Sequence, residues 1–178
     1  MKTTVFLFHP NLATSRVNRA LVAGLSSDIE VRDLYQLYPD FKIDVAAEQQ
    51  VLAKSDRIVW QFPLYWYSSP ALLKQWQDLV LTHGWAYGTG GEALHQKELV
   101  LAVSPGSDNY GRAGFVKYQV TELLRPFQAT SRLIGTKFMK PFITLGASTI
   151  TTPDLAKQAQ AYNDYLHQEK LPLLGDFD

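Results

Sequence analysis

Short apolar segments alternate with longer amphipathic segments along the whole chain. The apolar segments are rich in β-branched and aromatic residues, which is typical of strands buried in a sheet. They predict strands at Thr3–Phe8, Ile29–Leu34, Arg57–Phe62, Glu98–Val103 and Phe142–Leu145. The amphipathic segments repeat their apolar side chains at helical spacing. They predict helices at Ser15–Leu25, Asp44–Lys54, Pro70–Thr82, Tyr118–Leu124 (reaching Leu133 with an interruption or a kink at Pro126) and Pro153–His167.

Five successive β–α units in 178 residues predict an α/β protein made of one domain, residues 1–178, with helices on both faces of a parallel sheet. Right-handed crossovers leave two common open arrangements, the flavodoxin-like strand order 2-1-3-4-5 and a six-stranded dinucleotide-binding order. The number of strands favours the first, a flavodoxin-like doubly wound five-stranded parallel sheet. Residues 171–178 are expected to form a frayed tail.

Charge and composition exclude several classes of protein. The chain has 17 basic and 17 acidic residues, whereas a general nucleic-acid binder would carry a basic excess. It has no cysteine, which excludes thiol catalysis and thiolate metal sites, and its four histidines lack metal-ligand spacing, so we expect no metal. No apolar run approaches the roughly 20 residues that span a bilayer, and the first strand is too short for a signal-peptide core. We therefore expect a cytoplasmic protein.

Familiar catalytic loops are also missing from the places where they would be expected. The chain has neither a G-x-S-x-G nucleophile elbow nor a G-x-x-x-x-G-K-[ST] phosphate loop. A phosphoacceptor receiver domain shares the predicted strand order but needs acidic residues after the first strand and an aspartate at the end of the third. His9-Pro10 and Pro63 occupy those places, which excludes that function.

The loop after the first predicted strand carries hydroxyl and amide groups directly before a helix. Ligands of such sheets bind beyond the carboxyl ends of the strands, at the switch point between the first and third strands. A helix N-terminus with free N–H groups binds phosphate well. In this loop, which runs from His9 to Asn18, Thr14 and Ser15 offer hydroxyl donors, Asn18 an amide and Arg16 a positive charge. A serine that merely caps a surface helix would give the same local pattern, and both interpretations stay open.

Three consecutive aromatic residues follow the third predicted strand, between two prolines. The segment Pro63-Leu64-Tyr65-Trp66-Tyr67 could form the wall of a site for a planar heterocycle, or its rings could be buried against neighbouring loops or a partner subunit. The fourth strand is followed by Ser104-Pro105-Gly106-Ser107, a turn that could present backbone N–H groups to a ring carbonyl but that by itself is an ordinary turn.

Together these segments resemble the NAD(P)H:quinone oxidoreductase family, and especially its short bacterial branch, which includes ancillary subunits of glutathione-gated potassium efflux systems. The resemblance covers nearly the whole chain and is strongest between residues 33 and 91. The matching segments are Asp33-Leu34-Tyr35, Tyr38-Pro39-Asp40-Phe41, Ile43-Asp44, Glu48-Gln49, Gln61 to Ser68, Pro70 to Lys74 and Gly84-Trp85-Ala86-Tyr87-Gly88.

The resemblance implies non-covalently bound FMN or FAD, with NADH or NADPH and a quinone binding alternately over the flavin. By position, His9 and Ser15 to Asn18 would bind the flavin phosphate, while Leu64 to Tyr67 and Ser104 to Ser107 would frame the isoalloxazine. Relatives commonly carry Thr-Thr-Gly-Gly at the last site, and Pro105 here removes one N–H donor. Tyr110 is a candidate contact for the flavin or the acceptor; no catalytic acid or base is implied.

The expected function is therefore flavin-dependent NAD(P)H:quinone oxidoreduction, with two-electron hydride transfer by a ping-pong mechanism. Two alternatives stay open: a regulatory ancillary subunit of a potassium efflux system, and a flavodoxin-type electron carrier, although such carriers are usually strongly acidic. The resemblance implies a homodimer, and so does the concentration of aromatic residues between Trp60 and Tyr87, which exceeds what a monomer would leave exposed.

Overall fold

The computed structural model of the protein describes residues 1–176. Its strands are β1 (Thr3–Leu7), β2 (Glu30–Asp33), β3 (Arg57–Pro63), β4 (Glu98–Ser104), β5 (Lys137–Phe138) and β6 (Phe142–Ile143). Its helices are α1 (Arg16–Ala23), α2 (Leu34–Leu37), α3 (Val45–Lys54), α4 (Ala71–Val80), α5 (Val120–Leu123), α6 (Arg125–Leu133) and α7 (Thr152–His167), and a single 3₁₀ turn spans Leu12–Thr14.

The strands form a parallel sheet in the order β2-β1-β3-β4-β5, and β6 also pairs with β4. This confirms the predicted flavodoxin-like order 2-1-3-4-5. The fifth position is shared by two short strands rather than filled by one, and the sequence pattern predicted only the second. The chain leaves the sheet between them, because Pro141 has no N–H and the N–H of Lys140 donates to the Pro172 carbonyl at 2.8 Å.

Two hydrophobic clusters cover the two faces of the sheet. On one face, β3 and β4 pack against α3, α4 and α6, with Trp60 and Trp76 fully buried side by side. On the other face, α1 and α7 pack together, with Leu21 and Tyr162 buried against the sheet. Pro126 does not kink a continuous helix but starts a new one, because it occupies the first turn of α6, where its missing N–H costs no hydrogen bond.

The predicted frayed tail is wrong for its described part, residues 171–176. Leu171 and Leu174 are buried, and the N–H of Leu174 donates to the Phe138 carbonyl at 3.0 Å. Residues 177–178 lie outside the described residues. Within residues 1–176, the helices are all too short or too polar to cross a bilayer.

Candidate functional site

An open pocket of about 260 Å³ lies at the carboxyl ends of β1, β3 and β4, where the chain crosses from one half of the sheet to the other. It brings together residues from three of the predicted loops. Its lining consists of His9, Ser15, Arg16, Val17, Asn18, Pro63, Leu64, Tyr65, Ser104, Gly106, Ala147 and Ser148. Of the predicted site residues, Trp66, Tyr67, Pro105, Ser107 and Tyr110 are outside this lining.

The first turn of α1 faces the pocket and is built to attract an anion. Ser15 is the N-cap, and its Oγ accepts a hydrogen bond from the Asn18 N–H at 3.2 Å. The N–H groups of Arg16 and Val17 have no acceptor among the described residues, and the first turn contains no acidic residue. The Arg16 guanidinium donates to the Ile150 carbonyl. Ser15 is therefore both a helix cap and part of a positively polarised pocket wall.

His9 closes the pocket at the end of β1 as a buried ring. Burial lowers its pKa, although the nearby Asp33 carboxylate opposes that shift. Its Nδ1 accepts a hydrogen bond from the Asn11 N–H at 3.1 Å. A neutral ring with an accepting Nδ1 carries its hydrogen on Nε2, so His9 can offer a neutral donor to a ligand.

The three aromatic residues after β3 form a tight turn. Tyr65 and Ser68 exchange two backbone hydrogen bonds of 3.0 and 2.9 Å, and the two residues between them have positive φ angles, 47° for Trp66 and 61° for Tyr67. This conformation normally requires glycine or asparagine, and backbone strain of this kind is concentrated at functional sites. The N–H groups of Trp66 and Tyr67 have no acceptor in the described chain, and the Trp66 ring is 92% exposed.

The loop after β4 is held by the loop that follows β6. The carbonyls of Pro105, Gly106 and Ser107 accept hydrogen bonds of 2.9 to 3.1 Å from the N–H groups of residues 147, 148 and 146. Pro105 thus contributes only a carbonyl to this contact. The N–H groups of Gly106 and Ser107 donate to no acceptor among the described residues, so both donors stay available beside the pocket.

Sequence reasoning missed the contribution of Ala147 and Ser148. The signal that could have found them is their place in the chain, because both follow the fifth predicted strand at the same edge of the sheet as the other site loops. Ser148 also restricts the residue type at position 106, because a Cβ atom at Gly106 would lie only 3.3 Å from the Ser148 Oγ.

The side chain of Asn18 has a different position from the one expected for a phosphate ligand. Asn18 borders the pocket, but its amide donates to Ser104 Oγ at 2.9 Å and accepts from Gln61 Nε2 at 3.2 Å. Both ends of the amide are therefore engaged by buried protein partners. The expectation that this amide binds the phosphate is corrected on this point, because α1 turns the side chain toward the sheet.

Tyr110 lies beyond the aromatic turn, in a second pocket of about 200 Å³ that is also lined by Gln119, Val120, Ile143 and Leu145. Burial raises its pKa, and the neighbouring Tyr67 hydroxyl raises it further. Tyr110 therefore lies near Tyr67 of the aromatic turn but does not line the main pocket. No cluster of three or more acidic or histidine side chains suited to a metal occurs within residues 1–176.

Comparison with known proteins agrees with the observed fold. A family model described as a flavodoxin-like fold matches residues 1–166. The chain belongs to this family, in its NAD(P)H:quinone oxidoreductase group. General stress protein 14 of Bacillus subtilis is 53% identical over 172 residues, which cover 94% of this chain and 98% of the relative. The B. subtilis protein described as NAD(P)H oxidoreductase YrkL is 51% identical, over 95% and 99% of the two chains.

Further similar proteins include an ancillary protein of a potassium-efflux system and a protein whose structure was determined with FMN. The glutathione-regulated potassium-efflux system ancillary protein KefF of Salmonella schwarzengrund is 44% identical, over 89% of this chain and 91% of KefF. The structure of general stress protein 14 from Treponema denticola in complex with FMN has a TM-score of 0.87 and 39% sequence identity. The match covers 93% of this chain and 98% of the relative. The structure of an NADPH-quinone reductase from P. pentosaceus has a TM-score of 0.82 and 31% sequence identity. The match covers 93% of this chain and 97% of the reductase.

Proposed function

We propose that this protein binds FMN in the pocket at the end of β1 and acts as an NAD(P)H:quinone oxidoreductase. One observation carries the proposal: the unpaired N–H groups at the start of α1 line the pocket together with Gly106 of the loop after β4, and the unpaired N–H groups of Trp66, Tyr67 and Ser107 lie within two residues of the lining along the chain. FMN joins an anionic phosphate to a planar ring with acceptor atoms along its edge, which matches these two kinds of donor. The FMN complex of the T. denticola relative supports FMN over FAD.

The residues of the pocket have distinct parts in this proposal. Ser15 and the N–H groups of Arg16 and Val17 would bind the phosphate, with neutral His9 as an additional donor. The N–H groups of Trp66, Tyr67, Gly106 and Ser107 would bind the edge of the ring. Donors at that edge stabilise the negative charge of a reduced flavin.

Bound flavin supplies hydride acceptance from a nicotinamide and hydride delivery to a quinone. The chain orients these partners, and the exposed ring of Trp66, the residue after the lining residue Tyr65, would form one wall of the slot in which both stack. Because donor and acceptor use one slot in turn, we infer a ping-pong mechanism with two-electron transfer. No side-chain acid or base is needed for hydride delivery itself, and Tyr110 stays a candidate contact for the acceptor.

Reconstitution tests this function directly. Purified protein is loaded with FMN, and separately with FAD, and each form is assayed with NADH and with NADPH against menadione. We expect uptake of FMN, nicotinamide oxidation that depends on menadione, and parallel lines in double-reciprocal plots. Lack of flavin uptake together with lack of nicotinamide oxidation in every combination would contradict the proposal while leaving the fold unaffected.

Ser15→Asp is expected to weaken FMN binding by about 1–3 kcal/mol, through repulsion between the new carboxylate and the phosphate and the loss of a hydroxyl donor. Aspartate is also a good N-cap, so it preserves the hydrogen bond that Ser15 now accepts from Asn18. Titration by quenching of flavin fluorescence measures the effect. Ser15→Asn is the matched control, because it caps the helix without charge; equal affinities of the two variants would remove α1 from the phosphate site.

We also infer that the protein is a homodimer. The single chain exposes Tyr65, Trp66 and Tyr67 in the aromatic turn and Phe115 and Tyr118 in the loop before α5, and aromatic side chains are enriched at the centres of interfaces. Trp60 and Trp76 do not belong to this surface, because both are buried in the core. Light scattering of the flavin-loaded protein should give twice the 20.1 kDa mass of one chain, and a monomer at micromolar concentration would contradict the inference.

A second candidate function is that of an ancillary subunit of a potassium efflux protein. It is supported by the 44% identity to KefF over 89% of this chain. Co-purification with a membrane potassium transporter would support it, and the oxidoreductase assay above does not depend on its outcome.

A further inference from the structure

Four polar side chains form a continuous hydrogen-bonded row beneath the pocket, inside the face of the sheet covered by α1 and α7. The row starts at Tyr162 of α7, continues through Gln61 of β3 and Asn18 of α1, and ends at Ser104 of β4; each of these residues is at most 3% exposed. The Tyr162 hydroxyl lies 3.1 Å from Gln61 Oε1, Gln61 Nε2 lies 3.2 Å from Asn18 Oδ1, and Asn18 Nδ2 lies 2.9 Å from Ser104 Oγ.

A single backbone carbonyl fixes the direction of this row. Gln61 Nε2 is also 3.3 Å from the main-chain carbonyl of Asn18, which can only accept a hydrogen bond. The nitrogen end of the Gln61 amide must therefore face Asn18, and its oxygen must face Tyr162, which then has to donate. Asn18 Oδ1 accepts from Gln61, so Asn18 Nδ2 has to donate to Ser104.

Ser104 is consequently an acceptor on its buried side and retains its own hydrogen for another partner. Its Oγ makes no further hydrogen bond with any residue of the described chain. The hydroxyl of Thr144 is also buried, and it has no hydrogen-bond partner among the described residues. Ser104 lines the pocket, whereas Gln61 and Tyr162 do not. The hydrogen of Ser104 is thus available to a ligand acceptor.

We propose that Tyr162, Gln61 and Asn18 are positioning residues that keep the Ser104 hydroxyl as a hydrogen-bond donor to an acceptor atom of bound flavin. This inference rests on the proposed FMN site. Turning over the Gln61 amide would place its oxygen against the Asn18 carbonyl and leave the Tyr162 hydroxyl without an acceptor, and buried unsatisfied groups of this kind are costly. The direction that the Asn18 main-chain carbonyl sets on the Gln61 amide therefore reaches Ser104 through side chains that are held by protein partners.

A double-mutant cycle between Gln61 and Ser104 tests the proposal. In the apoprotein, Ser104→Ala should weaken FMN binding about fivefold, the size of one neutral hydrogen bond. Gln61→Met should give a loss of similar size, because it removes the partner that orients Asn18, and the double variant should bind no more weakly than Ser104→Ala alone. The midpoint potential of the bound flavin should fall in both single variants and fall no further in the double variant, since a donor favours the more electron-rich reduced ring.

Matched variants separate positioning from general damage. Tyr165→Phe, on the same helix as Tyr162, removes a hydroxyl that donates to the Lys140 carbonyl and should bind FMN like the wild type. If Gln61→Met does not fold, Tyr162→Phe completes the cycle with a loss of about twofold, because it removes only one hydroxyl.

Each outcome decides the question. Losses that multiply in the double variant, or wild-type affinity in folded Gln61→Met, would overturn the positioning role while leaving the FMN site intact. Wild-type protein that takes up no FMN would overturn the proposed function, and with it this inference.

Discussion

Arg57→Met is expected to lower the free energy of unfolding by about 3–5 kcal/mol, the cost of breaking a buried ion pair from one side. The Arg57 side chain is fully buried at the start of β3. Its guanidinium binds the Glu98 carboxylate at 2.5 Å and the carbonyls of Leu166 and Gln168 at 2.6 and 3.0 Å, at the end of α7. The variant leaves the Glu98 carboxylate and both carbonyls without their donor, which releases α7 from the sheet.

Urea denaturation of the apoprotein measures this loss. Arg132→Met is the matched control, because Arg132 also pairs with a carboxylate, that of Asp176, but both side chains are more than half exposed. Exposed pairs of this kind contribute about 0–1 kcal/mol. Similar losses in the two variants would show that burial of the Arg57 pair has no special weight in the stability of the fold.

Trp66→Ala is expected to lower turnover of the flavin-loaded protein about tenfold, which corresponds to ~1.4 kcal/mol of lost contact in the transition state. It should change the free energy of unfolding of one chain by less than about 0.5 kcal/mol, because the ring is 92% exposed and packs against no core residue. Trp76→Ala should affect stability more than turnover. It should lower the free energy of unfolding by about 3–5 kcal/mol, since its ring is fully buried against Phe6, Phe8 and Trp60.

Steady-state kinetics with menadione and urea denaturation of both variants provide the comparison. Light scattering has to accompany them, because loss of the Trp66 ring could also weaken the proposed dimer. Normal turnover in dimeric Trp66→Ala would remove this ring from the slot over the flavin, whatever the result for Trp76→Ala.

Much of the fold could be predicted from the sequence because its signals are local. Segments such as Thr3–Phe8 and Pro70–Thr82 carry the spacing of their own secondary structure, and parallel strands joined by helices permit few sheet orders. Weaker local signals failed. The short strand Lys137–Phe138 has only two residues in its ladder, and the short helix Leu34–Leu37 directly follows β2, so neither offers a period that can be recognised.

The position of the candidate site also followed from the sequence, because residues after parallel strands meet at one edge of the sheet. His9, Ser15, Leu64 and Gly106 come together for this reason. The detailed conformation of the aromatic turn did not follow, since Trp66 and Tyr67 lack the glycine or asparagine that normally indicates two consecutive positive φ angles. The surrounding structure, not local preference, holds that backbone.

The sequence by itself determined the α/β class, the order of the units and the loops that carry the site, because each depends on neighbours a few residues apart. Only the tertiary structure decided which loop supports which: residues 146–148 fix the loop after β4, and residues 171–174 pack instead of fraying. It alone decided that the Asn18 amide turns under the sheet toward Gln61 and Ser104. These contacts join residues 36 to 86 positions apart, from Leu174 and Phe138 to Asn18 and Ser104, and no local pattern specifies a hydrogen bond between such distant groups.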